Sequence, residues 1–255
     1  MTVRVAIVSS PRSGNMWLRR LLVALYGLEE RSAFTPDELD WDALPERCAV
    51  QFHWHPTPEL VDLLDRYGCS VVVLARHPLD VLVSILHFAQ HEPATDRWLD
   101  GEAGSEAPLR GADPTSRAFV EYARSPRARA LLSVTPEWWE RADACVRYES
   151  LVADPAGELH RIAAALRTPT AVSPAEAAES VRFERLQQEA PNQHFWQGRV
   201  GLWRELVPTA VALEIAEAYP GMRRFGYTVG VDEETALARW RAAAVPVARA
   251  LAQAS

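Results

Sequence analysis

Four short runs rich in β-branched residues constrain this chain more than any other feature: "VRVAIVSS" (3–10), "AVQFH" (49–53), "SVVVLAR" (70–76) and "ACVRYES" (144–150). Stretches of helical period separate or follow them. Strands that are apolar on both faces belong to parallel sheets covered by helices, so the pattern predicts an α/β fold with a central parallel sheet and flanking helices. No internal repeat is visible and no linker divides the chain, and 255 residues suit one large domain or two small ones. A single domain is the expectation.

After the first run, Trp17, Leu18, Leu21, Leu22, Leu25 and Leu28 recur at three- and four-residue steps, with Arg19 and Arg20 on the opposite face. A second helix is predicted over "HPLDVLVSILHF", where Pro78 suits a first helical position and Asp80 the positive end of the dipole. Residues 89–117 lose the periodicity to Gly, Pro, Ser and acidic residues and read as a long loop that is a lid, a binding loop or disordered. Helical patterns return at 136–142, 154–167, 174–183, 208–218 and 232–252, and Pro246 should kink or stop the last.

Composition excludes several functions. A net charge of −7 argues against tracking nucleic-acid phosphates, which needs clustered cations. All 27 basic residues are Arg, so no mechanism that needs a lysine amine is open, including that of the phosphate-loop lysine of nucleoside triphosphatases. Cys48, Cys69 and Cys145 follow no disulfide or metal pattern and read as free buried thiols. The N-terminus lacks a signal-peptide pattern, and no run of about 18 apolar residues suggests a membrane span, so a cytoplasmic protein is expected.

Between the first strand and its helix lies "SSPRSGNMW" (9–17). A strand ending at Ser9 or Ser10 and a helix starting near Ser13 would aim backbone N–H groups of residues 12–17 at one spot, where the dipole favours a phosphate. Gly14 permits close approach, Ser13 and Asn15 add side-chain donors, and Arg12 adds a fixed charge. The plain alternative is an ordinary strand-to-helix turn capped by Ser13. A second junction shifts the balance, because Arg76 closes a strand and Ser84 follows inside the next helix. Both junctions would lie at the carboxyl edge of the sheet, where ligands of doubly wound sheets bind. Two anion sites on one edge suggest a ligand with phosphates at both ends.

These residues resemble the cytosolic-type sulfotransferases that use 3′-phosphoadenosine 5′-phosphosulfate (PAPS), in a bacterial-like form. "PRSGNMW" (11–17) is similar to the family's 5′-phosphosulfate loop, P-K/R-S-G-T-x-W. "RHPLDVLVSILHF" (76–88) is similar to its 3′-phosphate segment, R-x-P-x-D-V-x-V-S-x-x-H-F. "RYESLVADP" (147–155), "GRVGLWREL" (198–206) and "RFGY" (224–227) resemble later family segments. The resemblance spans about residues 3–228 and implies a phosphate-loop-like nucleotide-binding fold over 1–228, with 229–255 as a helical extension of the same domain.

Residue by residue, the resemblance implies that Arg12, Ser13, Gly14, Asn15 and Met16 hold the 5′-phosphosulfate and that Trp17 stacks on the adenine. It implies Arg76 and Ser84 at the 3′-phosphate, Tyr148 near the adenine, and closure of the Gly198–Gly201 loop over the 3′-phosphate. For Trp17, Tyr148 and Trp203, core packing is the competing reading. Two departures stand out. Arg12 occupies a position often held by Lys, keeping charge and donors without readily giving up a proton. Trp196 and Gln197 replace the family's Arg-Lys pair, leaving Arg199 as the substitute phosphate contact.

The family's general base is a His after the second strand of its pattern, and "QFHWHP" (51–56) offers His53 and His55. His53 is preferred because it directly ends the strand. His55, Trp54 and Phe88 are assigned to acceptor binding, with Trp41, Trp98, Trp138 and Trp139 as further apolar walls; some of these must be core. The expected reaction moves a sulfuryl group to a hydroxyl of a small-molecule or natural-product acceptor, with Arg12, His53 and Ser84 as catalytic residues, PAPS as co-substrate and no metal. The alternatives are a phosphate-loop-like nucleotide phosphotransferase using ATP and magnesium, and a non-catalytic nucleotide-binding protein. No nucleic-acid or membrane partner is expected. The C-terminal segment could pack on its own domain or against a second copy, which leaves a homodimer open.

Overall fold

The computed structural model describes residues 2–91, 93–182 and 198–230. The expected helix at 232–252, Trp196 and Gln197 lie outside them. Five strands form one sheet: β1 (Val3–Val8), β2 (Glu29–Ser32), β3 (Arg47–Phe52), β4 (Cys69–Ala75) and β5 (Ala144–Arg147). All pair in parallel, in the order β2-β3-β1-β4-β5. The chain leaves β1 toward one side of the sheet and later crosses to β4 on the other. The carboxyl ends of β1 and β4 therefore flank the switch point, where a crevice opens because successive connections depart in opposite directions.

The helices form two layers. On one face α1 (Asn15–Tyr26), α7 (Pro155–Leu166) and α8 (Pro174–Ser180) bury Leu18, Leu21, Leu22, Leu159 and Ile162 against the sheet. On the other lie α2 (Pro58–Arg66), α3 (Pro78–His91), α4 (Arg117–Ala123), α5 (Pro126–Trp138) and, near the end of the described chain, α10 (Thr209–Ala216). Two short helices, α6 (Tyr148–Ala153) and α9 (Trp203–Leu206), sit at the carboxyl edge.

Several elements differ from the sequence-based expectation. β2 reads Glu-Glu-Arg-Ser and shows no apolar pattern, because an edge strand need not bury both faces; Glu30 instead meets Arg19 at 3.3 Å and Arg20 at 2.9 Å. The run at 144–150 is a strand only to Arg147, and Tyr148 already opens α6. The pattern at 136–142 is the end of the longer α5 followed by a 3₁₀ turn at Trp139–Arg141. Helices α2 and α4 and most of α5 fall outside the predicted helical stretches; α2 carries a short apolar stripe, with Leu60 and Leu64 buried and Val61 and Leu63 packed on the core. Each starts on a cap: Thr57, Ser116 and Ser125 accept from the N–H three residues on, and in α2 and α5 a Pro follows the cap.

The region 89–117 is also more built than a loop, with 3₁₀ helices at Pro93–Gly101 and Ala107–Leu109. Its anchor is a buried ion pair. Arg127 of α5 donates to Glu106 at 2.8 Å and to the Glu102 carbonyl at 2.7 Å, while Tyr122 donates to the same Glu106 oxygen at 2.9 Å. Glu106 is 0% and Arg127 2% exposed, so each charge depends on the other for the hydration it lost. Among the described residues no helix is long and apolar enough to cross a membrane.

Glu106→Ala should strand the Arg127 charge and lower the free energy of unfolding by about 3 to 5 kcal/mol, read from the denaturant midpoint.

Candidate nucleotide site

The connection from β1 to α1 is the centre of the site. The first bond of α1 runs from the Leu18 N–H to the Gly14 carbonyl, so the N–H groups of the preceding turn point out of the helix end. Arg12 and Gly14 both adopt left-handed backbone, at φ 63° and 105°. Gly14 needs its missing side chain twice over: a Cβ there would lie 2.5 Å from the Tyr148 ring. The loop is braced from within. The Asn15 side chain accepts from the Ser9 hydroxyl and donates to the Ser10 carbonyl at 3.0 Å, and the Ser10 N–H donates to Thr135 of α5 at 2.9 Å. Ser13 and Asn15 are buried; Met16 is half-buried.

Arg12 reaches from this loop to α3, where its Nε donates to Ser84 at 3.2 Å and its guanidinium lies 4.4 Å from the centre of the Phe88 ring. Arg76 occupies the next junction. It donates to the Arg12 carbonyl at 3.1 Å and the Arg199 carbonyl at 3.2 Å, and its guanidinium sits 4.4 Å from the centre of the Tyr148 ring. Its Nε is buried with no hydrogen-bond partner among the described residues. Tyr148 donates to the Gly198 carbonyl at 2.8 Å. The structure thus brings Arg12, Arg76, Ser84, Tyr148 and the Gly198–Arg199 backbone together.

Other predicted residues have different surroundings. The Arg199 side chain is engaged by Glu205, with one N–H at 3.0 Å, and only its carbonyl faces Arg76. Trp17 is 5% exposed, its indole N–H donates to the Val181 carbonyl at 3.0 Å, and its ring meets Tyr148 edge to face. Of the aromatic walls, Trp41 stacks on Phe52, Trp138 is fully buried and Trp139 packs edge-on against Phe225; these are core. Phe88 stacks on Trp98 at 5.5 Å. Trp54 is half-buried and its carbonyl accepts from the Trp138 indole at 2.7 Å.

The two histidines after β3 are distinguished by their partners. His53 Nδ1 lies 2.8 Å from the Ser9 carbonyl. A carbonyl only accepts, so Nδ1 carries the proton and the lone pair is on Nε2, which faces the Gln51 amide nitrogen at 3.4 Å. Burial lowers the pKa of His53 to about 4; the Ser9 carbonyl opposes that shift, and the charges of Arg19 and Arg12 reinforce it. His55 instead pairs with Glu137 at 2.8 Å. His87, on α3, is also lowered to about 4, by burial and then by His91 and Arg12.

Asp80 and Thr135 are site residues that the sequence reading did not identify. Asp80 ties the 198–203 loop to α3, and Thr135 links α5 to Ser10. On the α5 side of Ser13 and Arg76 a cavity of about 240 Å³ is walled by Leu132, Met222 and Phe225; neither His53 nor Phe88 lines it. Among the described residues no group of three or more His, Cys, Asp or Glu could hold a metal ion.

A family model described as "Sulfotransferase domain" matches residues 3–219. Among solved structures, a mouse sulfotransferase complexed with PAP superposes with a TM-score of 0.63 at 19% identity, covering 86% of this chain and 84% of that one. A retinol dehydratase in complex with androsterone and the inactive cofactor PAP gives 0.55 at 19% identity, covering 87% and 81%. At that identity the likeness is one of fold. No curated protein matches the chain.

Gly14→Ala should cost about 1 to 3 kcal/mol in thermal or denaturant unfolding, because the added carbon must displace Tyr148. The folded His53 refuses a proton that the unfolded chain accepts near pH 6.5. Its contribution to stability is therefore complete above that pH and is lost as pH falls from about 6.5 toward 4. His53→Gln should show a shallower acid-side fall in denaturant midpoint than the wild type.

Proposed function

The chain belongs to the sulfotransferase domain family, and from that premise we propose that it moves the sulfuryl group of PAPS to a hydroxyl of a small or natural-product acceptor. The observation that carries the donor assignment is the pairing of two cation-bearing junctions at one sheet edge. Arg12 and the α1 N-terminus form the first, Arg76 the second. A nucleotide anionic at both its 5′ and 3′ positions fits this arrangement. The partnerless Arg76 Nε supports the fit, because a buried donor without an acceptor is costly and an anionic oxygen is the strongest acceptor available. The PAP in the two similar structures is of the same chemistry.

In the reaction an S–O bond forms to the acceptor oxygen and the S–O bond to the donor phosphate breaks. His53 Nε2 takes the acceptor proton; the Ser9 carbonyl holds the ring in the tautomer that leaves this lone pair available. Arg12 stabilises the charge that grows on the leaving phosphate. Its pose is fixed by Ser84 and Phe88, so little reorganisation is needed as charge develops. Arg cannot act as an acid here, so the leaving oxygen departs as an anion held by fixed donors. His55, held by Glu137, is left to line the acceptor side with Trp54 and Phe88. The acceptor is apolar or aromatic near its hydroxyl, in keeping with Phe88 as a wall.

A kinase reading would need a lysine at the loop, and the sequence contains none. A non-catalytic reading is separated from ours by one comparison. Thermal unfolding with saturating PAP should rise by several degrees, since ligand at about 100 times its Kd stabilises by about 2.7 kcal/mol. ADP, or ATP with magnesium, should give a smaller shift. His53→Ala should keep that PAP response while turnover falls by about 10² to 10⁴. A shift with ATP and magnesium alone would overturn the donor assignment, and full activity of the variant would overturn the base. Because His53 stays neutral well below pH 7, kcat/KM should be flat through the mildly acidic range and fall only on approach to about pH 4.

A further inference from the structure

We propose that Asp80 is the positioning residue of the nucleotide site: its carboxylate clamps the 198–203 loop against Arg76 before ligand arrives, and so sets the preference for a 3′-phosphorylated nucleotide. This rests on the donor assignment above. Asp80 is the third residue of α3 and is 2% exposed. One of its oxygens accepts from the Gly201 N–H at 2.7 Å and the other from the Trp203 N–H at 3.0 Å. The opposite polarity of the same loop is turned to the nucleotide junction, where the Gly198 carbonyl accepts from Tyr148 and the Arg199 carbonyl from Arg76. The loop is held from both sides, by an acid on its N–H groups and by a cation and a phenol on its carbonyls.

Burial raises the pKa of Asp80, while Arg76 and the two loop N–H groups oppose that rise and favour its charged form. Its charge also opposes any phosphate that Arg76 would receive, since like charges at a shared site repel. A buried carboxylate in that place therefore weakens anion binding unless it organises the site, and its two loop hydrogen bonds do so. Charged acceptors of backbone N–H groups are the stronger class of hydrogen bond. With the clamp in place, Arg76 presents its remaining Nε donor in a fixed pose; without it the Arg199 carbonyl is free to drift and Arg76 loses one of its two anchors.

Asp80→Asn keeps the shape but turns a donor toward one of the two loop N–H groups. The Kd for PAP should rise about tenfold or more, while that for AMP, which lacks the 3′-phosphate, should move less than about twofold. KM for PAPS should rise in parallel, with kcat at saturation within about twofold. Hydrogen exchange of the Gly201 and Trp203 amides should be slow in the nucleotide-free wild type and fast in the variant. Unchanged PAP affinity, or equal losses for PAP and AMP, would overturn the proposal. Should Asp80→Asn fail to fold, the wild type decides alone: amides slow before PAP uphold the clamp, and amides that become slow only after PAP is added reject it. If the wild type binds no PAP at all, the donor assignment fails, and the exchange measurement still reports on the clamp.

Discussion

The arrangement of the site depends on one guanidinium. Arg76 stands at the end of β4 and spends two donors on carbonyls from segments far apart in sequence, Arg12 and Arg199. Carbonyls at a sheet edge repel one another and would splay, and a planar cation between them reverses the sign of that interaction. The Tyr148 ring beneath Arg76 fills the space that Gly14 leaves open, so the same contact also fixes how closely α1 approaches β5. Arg suits the role better than Lys, because its planar fork can meet two acceptors while its face lies on a ring.

Around this cation the protein buries many polar groups, and those that brace the β1–α1 loop are partnered. Ser9, Ser10, Asn15 and Thr135 are nearly inaccessible and bond to one another and to backbone. In a medium of low polarisability such a network is rigid, since breaking any member leaves an unsatisfied group. His53 is attached to it through the Ser9 carbonyl, which fixes its tautomer, while burial keeps the ring neutral against the pull of that carbonyl. An imidazole anchored in this way is held neutral by its burial.

Much of the fold was legible from the chain. β1, β3 and β4 announce themselves because strands buried on both faces are largely apolar and β-branched, and α1 and α3 because a helix against a sheet must show an apolar stripe. β2 escaped notice because its place at the edge removes that requirement. Helices α2, α4 and α5 carried readable signals in their caps, Thr57, Ser116 and Ser125, and α2 also in its short stripe of Leu60, Val61, Leu63 and Leu64. The stretch from 89 to 117 looks loop-like because its order comes from Arg127 and Glu106, a pair 21 residues apart that no local pattern connects.

The sequence by itself determined the layer architecture, the phosphate-type loop around Gly14, the absence of lysine chemistry and the alternative of His53 or His55. Those properties are local, set by side-chain period, backbone freedom or residue identity. Only the tertiary structure decided that His53 is anchored on Ser9 while His55 pairs with Glu137, that the Arg199 side chain is engaged by Glu205, and that Asp80 holds the 198–203 loop. Each of these is a contact between residues distant in the chain. It exists because parallel strands deliver their carboxyl ends to one edge, and a one-dimensional pattern carries no record of which ends arrive side by side.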